Sequence, residues 1–509
     1  MADLSNFNRR KFLATGSCGM MGWGSLINTV TQLQLINSAA ASAGNVDDDP
    51  ATPYRALVCL FLRGGCDMNN VLIPIGGNPQ KAGYLADRGV VAVPEVDIAT
   101  AGTEINVPSA GDQQFGLHPS LTNLASMFNG GDAAFVNNVG TLAYPTTPDT
   151  YDSVGLPRQL FSHSDQVTEW MSSISDRPYL SGWGSRVADL YHSTWNPDTQ
   201  TSMMITAAGN NQFMNGGSEN QYSVTSSGAI SLASFGTQYS NALNGDGTYR
   251  LNRQEGQRLK ALERIINYSH AHLLEDGYSA VVRRARENEA VITEASAVAD
   301  GLGLDLDAIW DSYGASGGLA SELKAVAKMI VGRNCLGNRR QIFFVDSGGY
   351  DNHADINNDL QGNLASLDAA IGAFNQAMKD LASLDPKFDY DQVTTFQASD
   401  FNRTWTPNSE NPATAGTDHA WGTHCFMFGG AVNGGQFYGE FPELVVGGAN
   451  DTPRGSRGRW IPTTSVDQHC AVLANWFGVP PGSSEMETIF PNLSRFEDPF
   501  GGSANLGYL

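Results

Sequence analysis

Six short apolar segments, separated by helical patterns, run through this chain. The clearest is ALVCLFL at 56–62, whose unbroken apolar character is typical of a strand buried on both faces of a parallel sheet. The pattern predicts five further strands, at 133–140, 201–209, 341–349, 392–400 and 424–432. Apolar residues from Asp359 to Leu384 recur at helical spacing and predict a long helix with one buried face. Helices alternating with strands predict an α/β fold with a central, mostly parallel sheet.

One region interrupts this alternation. Residues 207–250 are rich in Asn, Gly and Ser, which predicts a surface loop or cap. Residues 251–300 are charged and helical in pattern. We therefore expect a cap and helical insertion at about 207–320, within a main domain that spans 44–509.

The first 43 residues read as an export signal. Arg9 and Arg10 precede a mildly apolar stretch, and Ala41 and Ala43 fit a small-residue cleavage site. Paired arginines predict a twin-arginine signal peptide at 1–43, with the Tat translocase as partner during export. The mature protein would then be periplasmic or extracellular.

Charge and composition exclude several classes of partner. The formal net charge is −22, which argues against nucleic acid and anionic membranes. Beyond the signal there is no apolar run of 18 or more residues, so we expect no transmembrane segment. The chain has six cysteines but no CxxC pair, which argues against a cysteine-based zinc site.

Acidic and imidazole side chains follow three of the predicted strands. Asp67 follows the first strand, Asp351 and His353 follow the strand at 341, and Asp400 follows the strand at 392. Ligands of parallel sheets bind beyond the carboxyl ends of the strands, so these residues are candidate metal ligands. The alternative is that each aspartate only caps a helix or turn.

A second cluster lies in GTDHAWGTH, which contributes Asp418, His419 and His424. Carboxylates together with imidazoles suit zinc, manganese or iron, and oxygen ligands also admit magnesium or calcium. With the aspartates above, the set would suffice for two adjacent divalent ions of the kind that stabilise attacking and leaving oxygens. The alternative is a hydrogen-bonded loop with structural Asp–His pairs.

Two further motifs supply candidate catalytic residues. GLHPSL places His118 and Ser120 at a predicted helix start, where Ser120 is either a nucleophile or an N-cap. SHSDQ places His163 between two serines.

The ordered motif set resembles an exported bacterial family, domain of unknown function 1501. It comprises RRKFL, LRGGCDMNN, GLHPSL, FVNNVGTL, SHSDQ, GWGSRVAD, GGYDNH, SDFNRT and GTDHAWGTH. Members of that family look like the alkaline phosphatase and sulfatase superfamily. The resemblance implies a three-layer sandwich with a metal site at the carboxyl edge of its sheet. It places Ser120 in the region of the nucleophile, and it assigns metal-ligand positions to Asp67, Asp351, His353, Asp400, Asp418 and His419.

The resemblance leads to an expected function: an exported, metal-dependent hydrolase of phosphate or sulfate esters. A second hypothesis is a metal-stabilised, non-catalytic surface or assembly protein on the same fold, since folds do not fix functions. A third is a carbohydrate-binding module, suggested only by Trp183, Trp405 and Trp421 near the motifs.

Overall fold

The predicted apolar strands form one large mixed sheet. The computed structural model describes residues 53–509 except 112, 198–200, 226–227, 230–241, 243, 245–247 and 267–293. The strands of the large sheet are β1 (Arg55–Leu62), β5 (Ala133–Gly140), β6 (Met204–Thr206), β7 (Tyr222–Thr225), β8 (Gly228–Ala229), β9 (Arg340–Ser347), β10 (Val393–Ser399), β11 (Thr423–Gly429), β12 (Phe437–Tyr438) and β13 (Thr464–Ser465). All six predicted strands are among them.

The sheet is parallel at its centre and has antiparallel strands toward both edges. Its order is β12–β5–β11–β10–β1–β9–β6–β7–β8, and β13 pairs with β5. Strands β10, β1, β9, β6 and β7 run parallel. Strand β11 runs antiparallel to both β10 and β5, and β8 runs antiparallel to β7. The α/β prediction is therefore confirmed, with a mixed sheet.

Helices cover both faces of this sheet. The helices are Lys81–Arg88, Glu95–Ala101, Thr122–Asn129, His163–Ser172, Trp183–Trp195, Gln254–Ile266, Leu306–Ser312, Gly318–Val331, Arg333–Leu336, Ile356–Leu384, Val466–Phe477 and Ser484–Ile489. The long helix that the sequence predicts from Asp359 to Leu384 begins three residues earlier, at Ile356.

Strand β1 shows why its sequence has no polar alternation. Val58, Leu60 and Leu62 pack into one hydrophobic core with the helices Gly318–Val331 and Ile356–Leu384. The intervening residues of β1 pack into a second core with the helices Trp183–Trp195 and Val466–Phe477. Successive strand residues point to opposite faces, so covering both faces requires apolar side chains throughout. The result is three layers, helix on sheet on helix.

A small antiparallel sheet lies beside the large one. It consists of β2 (Leu72–Ile75), β3 (Glu104–Ile105) and β4 (Gln114–Leu117), in the order β2–β4–β3. Ile73 and Ile75 of β2 form a separate small core with Tyr84, Trp405 and Trp460. The buried side chains of β3 and β4 pack into the large core instead. Its first strand, β2, follows the carboxyl end of β1 after nine residues, and Asp67 lies in that connection.

The region predicted as an insertion adds β7 and β8 to the edge of the sheet and forms the helices Gln254–Ile266 and Leu306–Ser312. Part of that region, and all of the predicted signal peptide 1–43, lie outside the described residues. None of the described helices combines the length and apolar character needed to cross a membrane. The five described cysteines are free thiols.

Candidate metal centre

Four chain segments meet at the carboxyl edge of the large sheet. His163 is the first residue of the helix His163–Ser172, and Asp351 and His353 lie in the loop after β9. His419 lies shortly before β11, and its backbone forms a bridge with Arg403, just after β10. Because β11 runs antiparallel to β10, its beginning lies beside the end of β10. This reversal brings His419 to the same edge as the side chains that follow the parallel strands.

Three imidazoles and one carboxylate converge there. The Nε2 atom of His419 lies 3.1 Å from Nε2 of His163 and 3.0 Å from Nε2 of His353. The Oδ1 atom of Asp351 lies 3.4, 3.1 and 3.4 Å from Nε2 of His163, His353 and His419 respectively. Among the residues that the structure describes, His163, Asp351 and His419 form a group whose ligand atoms all lie within 4.8 Å of one another, close enough to hold a metal ion.

Each of the three imidazole rings is oriented by an oxygen acceptor on its other nitrogen. The Nδ1 atom of His163 lies 2.7 Å from Oδ2 of Asp400. That of His353 lies 3.0 Å from Oδ1 of Asp418. That of His419 lies 2.8 Å from the carbonyl oxygen of Phe161. Metal-ligating histidines characteristically donate their second N–H to a carboxylate or a backbone carbonyl, and all three rings here do so.

These acceptors determine which nitrogen of each ring carries the hydrogen, and therefore whether Nε2 can act as a ligand. A carboxylate or carbonyl oxygen only accepts, so each Nδ1 carries the hydrogen and a neutral ring has its lone pair on Nε2. Lone pairs facing one another at 3.0–3.1 Å repel. The arrangement is therefore stable only with a positive charge among the Nε2 atoms, either a shared proton or a metal ion.

Two arginines hold the carboxylates in their ionised form. Partial burial acts to raise the pKa of Asp351, but the hydrogen bond and charge of Arg403 outweigh it and lower that pKa. Burial is likewise the largest effect on Asp418 and acts to raise its pKa, but the hydrogen bonds from Arg457 and His353, with the charge of Arg457, together lower that pKa. The Arg403 Nη1 atom lies 2.7 Å from Asp351 Oδ1, and its side chain is fully buried. Arg403 therefore fixes the position of the carboxylate within the cluster.

The pKa values of His163 and His419 are shifted in opposite directions. The hydrogen bond to Asp400 raises the pKa of His163, which outweighs the effect of burial. Burial lowers the pKa of His419, so that ring favours the neutral form, which ligates metals. Two neighbouring rings with opposite shifts are suited to sharing one cation.

Close backbone packing holds the ligand loops together. Gly64 has φ +110°, and a Cβ there would lie 2.5 Å from the backbone nitrogen of Asp351. A Cβ at Gly416 would lie 2.1 Å from the carbonyl carbon of His353. Phe161, which supplies the carbonyl for His419, has φ +77°, an outlying conformation for a bulky residue. The geometry of the cluster is thus maintained at the cost of local backbone strain.

A family model matches the chain over residues 54–452, under the description "Protein of unknown function (DUF1501)". The chain belongs to the DUF1501 family. The four residues of the cluster lie inside the matched region, whereas Arg457, which contacts Asp418, lies beyond its end.

The other comparisons add little to this. No curated protein matches the chain. The solved structure described as "Crystal structure of Ps i-CgsB" is 10% identical, and the match covers 87% of this chain and 77% of that one, with a TM-score of 0.29. A similarity at this level defines neither the fold nor the function of this DUF1501 member.

Asp67 lies outside the cluster. Its carboxylate forms an ion pair with Arg88, and both side chains are fully buried. Arg88 also donates to the carbonyl oxygens of Thr404 and Trp405, at 3.1 Å each. Asp67 therefore joins the small sheet unit to the loop after β10, and the structure does not bring it together with the histidines.

His424 also has other contacts. It is buried within β11, its Nδ1 lies 3.1 Å from Oδ1 of Asn137, and its ring stacks on Phe441. Burial lowers the pKa of His424 to about 3. Asp400 and Asp418, predicted as ligands, instead contact the Nδ1 side of the ligating rings.

The predicted nucleophile region is likewise separate from the cluster in its contacts. The Oγ atom of Ser120 donates to the carbonyl oxygen of Gln361 at 3.2 Å. Ser120 does not cap the neighbouring helix, which begins at Thr122 and whose first N–H groups are taken by Asp368. Burial lowers the pKa of His118 to about 4, and its Nδ1 accepts from the backbone of Ser120.

Three of the groups that orient the ligands, Arg403, Phe161 and Arg457, are not indicated by the sequence motifs. Arg403 lies inside SDFNRT, which stands out for its aspartate, and Phe161 directly precedes SHSDQ. Arg457 lies in PRGSRGRW, where three arginines within six residues contrast with the acidic composition of the chain. That local excess of positive charge was the available signal.

Proposed function

We propose that His163, His353, His419 and Asp351 bind one divalent transition-metal ion. In a tetrahedral site with metal–nitrogen distances of about 2.0–2.1 Å, neighbouring donors lie about 3.3–3.4 Å apart. Of the six separations among the four donors, the five that involve His419 or Asp351 run from 3.0 to 3.4 Å. Imidazole donors favour zinc and the later transition metals over magnesium and calcium, which prefer oxygen. The observation that carries this proposal is the set of three Nε2 atoms, each with an acceptor on its opposite nitrogen.

The function that this geometry supports best is metal-dependent hydrolysis of phosphate or sulfate esters. The side chains of Asp351 and His353 are 48% and 45% exposed, so a substrate can reach the cluster from solvent. A bound ion would supply Lewis acidity and would lower the pKa of a water molecule. Arg403 orients Asp351. The Asp351 carboxylate would then bind the metal ion or accept a proton. Asp400, Asp418 and Phe161 hold the imidazole rings in position.

The architecture is consistent with this proposal. Three layers, with the candidate centre at the carboxyl edge of the parallel strands, agree with what a resemblance to the alkaline phosphatase and sulfatase superfamily implies. This DUF1501 member would differ from that pattern in its ligands, because one His-rich cluster replaces the two-ion set that includes Asp67.

A second proposal is a metal-stabilised, non-catalytic surface or assembly protein. Within the described residues no serine, threonine or cysteine side chain contacts the ligand atoms of the cluster. Cys66 is fully buried, and burial raises the pKa of its thiol. Four side-chain donors also suffice to complete a tetrahedral shell, as in structural sites.

Turnover of model esters distinguishes the two proposals. Zinc- or manganese-loaded protein is expected to hydrolyse an aryl phosphate or aryl sulfate, and the activity should disappear on chelation and return with metal. The measurement is product release across a panel of both ester classes, with metal-free protein as the control. Full metal loading without turnover of any ester in the panel would reject the hydrolase and favour the scaffold.

A further inference from the structure

The loop from 454 to 459 carries three arginines that differ in their contacts. Arg454 pairs with Asp152, and both side chains are largely exposed. Arg457 pairs with Asp418 and donates to the carbonyl oxygens of Thr406 and Pro407. Two of the three guanidinium groups therefore have protein partners.

Arg459 has none. Within the described ranges its guanidinium makes no hydrogen bond or ion pair, and its Nε is buried without a partner. Its backbone is engaged at both polar atoms: the N–H donates to Asp451 at 2.8 Å, and the carbonyl oxygen accepts from the N–H of Thr452 at 3.2 Å. A half-buried, unpaired guanidinium is costly, and this chain has 52 acidic and 30 basic residues from which to find a partner. An unsatisfied arginine in such a protein points to a ligand that supplies the missing acceptors.

The position of Arg459 ties it to the metal centre. Its guanidinium carbon lies 4.5 Å from the centre of the Phe161 ring. The carbonyl oxygen of Phe161 accepts from Nδ1 of His419, a residue of the cluster. The electrostatic neighbours of Arg459 include Arg457 and Asp418, and Asp418 contacts Nδ1 of His353 in the cluster. Phe161 thus contacts both the guanidinium of Arg459, through its ring, and His419, through its carbonyl oxygen.

We propose that Arg459 and the metal centre together bind a tetrahedral oxyanion, the phosphate or sulfate group of a substrate; this rests on the proposed metal site. Arginine offers several N–H donors in a planar fork that matches such oxyanions. A bound dication would add positive charge beside it, and Asp351 and Asp418 are already neutralised by Arg403 and Arg457. The site would then attract anions despite the acidic surface of the protein.

Anion titrations test this assignment. Inorganic phosphate and, separately, sulfate are titrated calorimetrically into zinc-loaded and metal-free protein. We expect the zinc-loaded form to bind one of them at least about tenfold more tightly than the metal-free form. Arg459→Gln should weaken that binding at least about tenfold while leaving zinc affinity unchanged. Arg454→Gln, in the same loop but paired and exposed, serves as the control and should bind as the wild type does.

Each outcome separates this inference from the proposed hydrolase. Unaltered anion affinity in Arg459→Gln overturns the role of Arg459, even if esters are hydrolysed. Weakened anion binding in that variant, without ester turnover by the wild type, supports the oxyanion site and rejects the hydrolase. If Arg459→Gln does not fold, Arg459→Lys retains the charge without the planar fork. Wild-type anion affinity in the folded lysine variant would overturn the bidentate role.

Discussion

Replacing His419 by alanine is expected to weaken zinc binding at least about a hundredfold, a loss of roughly 2.7 kcal/mol. Its Nε2 lies within 3.1 Å of the Nε2 atoms of both other histidines, so it occupies the middle of the ligand set. Removing it opens the coordination shell and leaves its neighbours without their common partner. The loss should also appear as a smaller rise in Tm on adding zinc, because ions that bind only the folded state stabilise it.

The measurement is zinc affinity by competition with a chromophoric chelator. His192→Gln is the matched control. His192 lies in the helix Trp183–Trp195, and its ring faces Glu219 rather than the cluster. It should retain the wild-type affinity. Wild-type zinc affinity in His419→Ala would show that the ligand assignment is wrong.

Asp351→Asn is expected to reduce turnover of an aryl phosphate or sulfate by about a hundredfold or more, if the protein is a hydrolase. The substitution keeps the shape of the side chain but removes its charge from beside three Nε2 atoms and Arg403. Loss of an electrostatic contact worth roughly 3 kcal/mol in the transition state has an effect of this size. Asp351 is half exposed in a loop, so the change should alter the fold little.

The readouts are kcat and Tm, compared with those of Asp346→Asn. Asp346 lies near the end of β9, the strand that precedes the Asp351 loop. Its carboxylate pairs with Arg63 rather than with the histidines. The control should therefore keep its turnover. If Asp351→Asn keeps wild-type turnover while zinc remains bound, Asp351 has no catalytic role. If the variant mainly lowers Tm and the wild type is inactive, the cluster is a structural metal clip.

The fold followed from the sequence because its strands are buried on both faces. Unbroken apolar runs such as 56–62 have few alternatives once helical patterns lie between them. The same patterns placed Asp351, His353 and Asp400 beyond strand ends, where the structure has them. The direction of β11 was not encoded in any local pattern, since a buried strand has the same composition in either direction. That direction is what brings His419 to the edge.

The ligand set was less predictable, because it depends on partners distant in sequence. Asp67 follows a strand as a ligand should, but Arg88, twenty-one residues later, forms the ion pair with it. His163 was assigned to catalysis on its local context, yet it lies within 3.4 Å of Asp351, far along the chain. Ser120 has the position of an N-cap, but Asp368 from the long helix satisfies those N–H groups. Local patterns identify which residues can ligate, and tertiary packing selects among them.

X-ray absorption spectroscopy on the protein isolated from the cells that make it tests the metal centre most directly. We expect about one transition-metal ion per chain, surrounded by three imidazole nitrogens and one carboxylate oxygen at roughly 2.0–2.1 Å. His419→Ala should lose one imidazole from that shell or lose the ion. Protein that carries no metal and acquires none from zinc or manganese would contradict the account, as would an ion with an oxygen-only shell; the histidines would then share a proton.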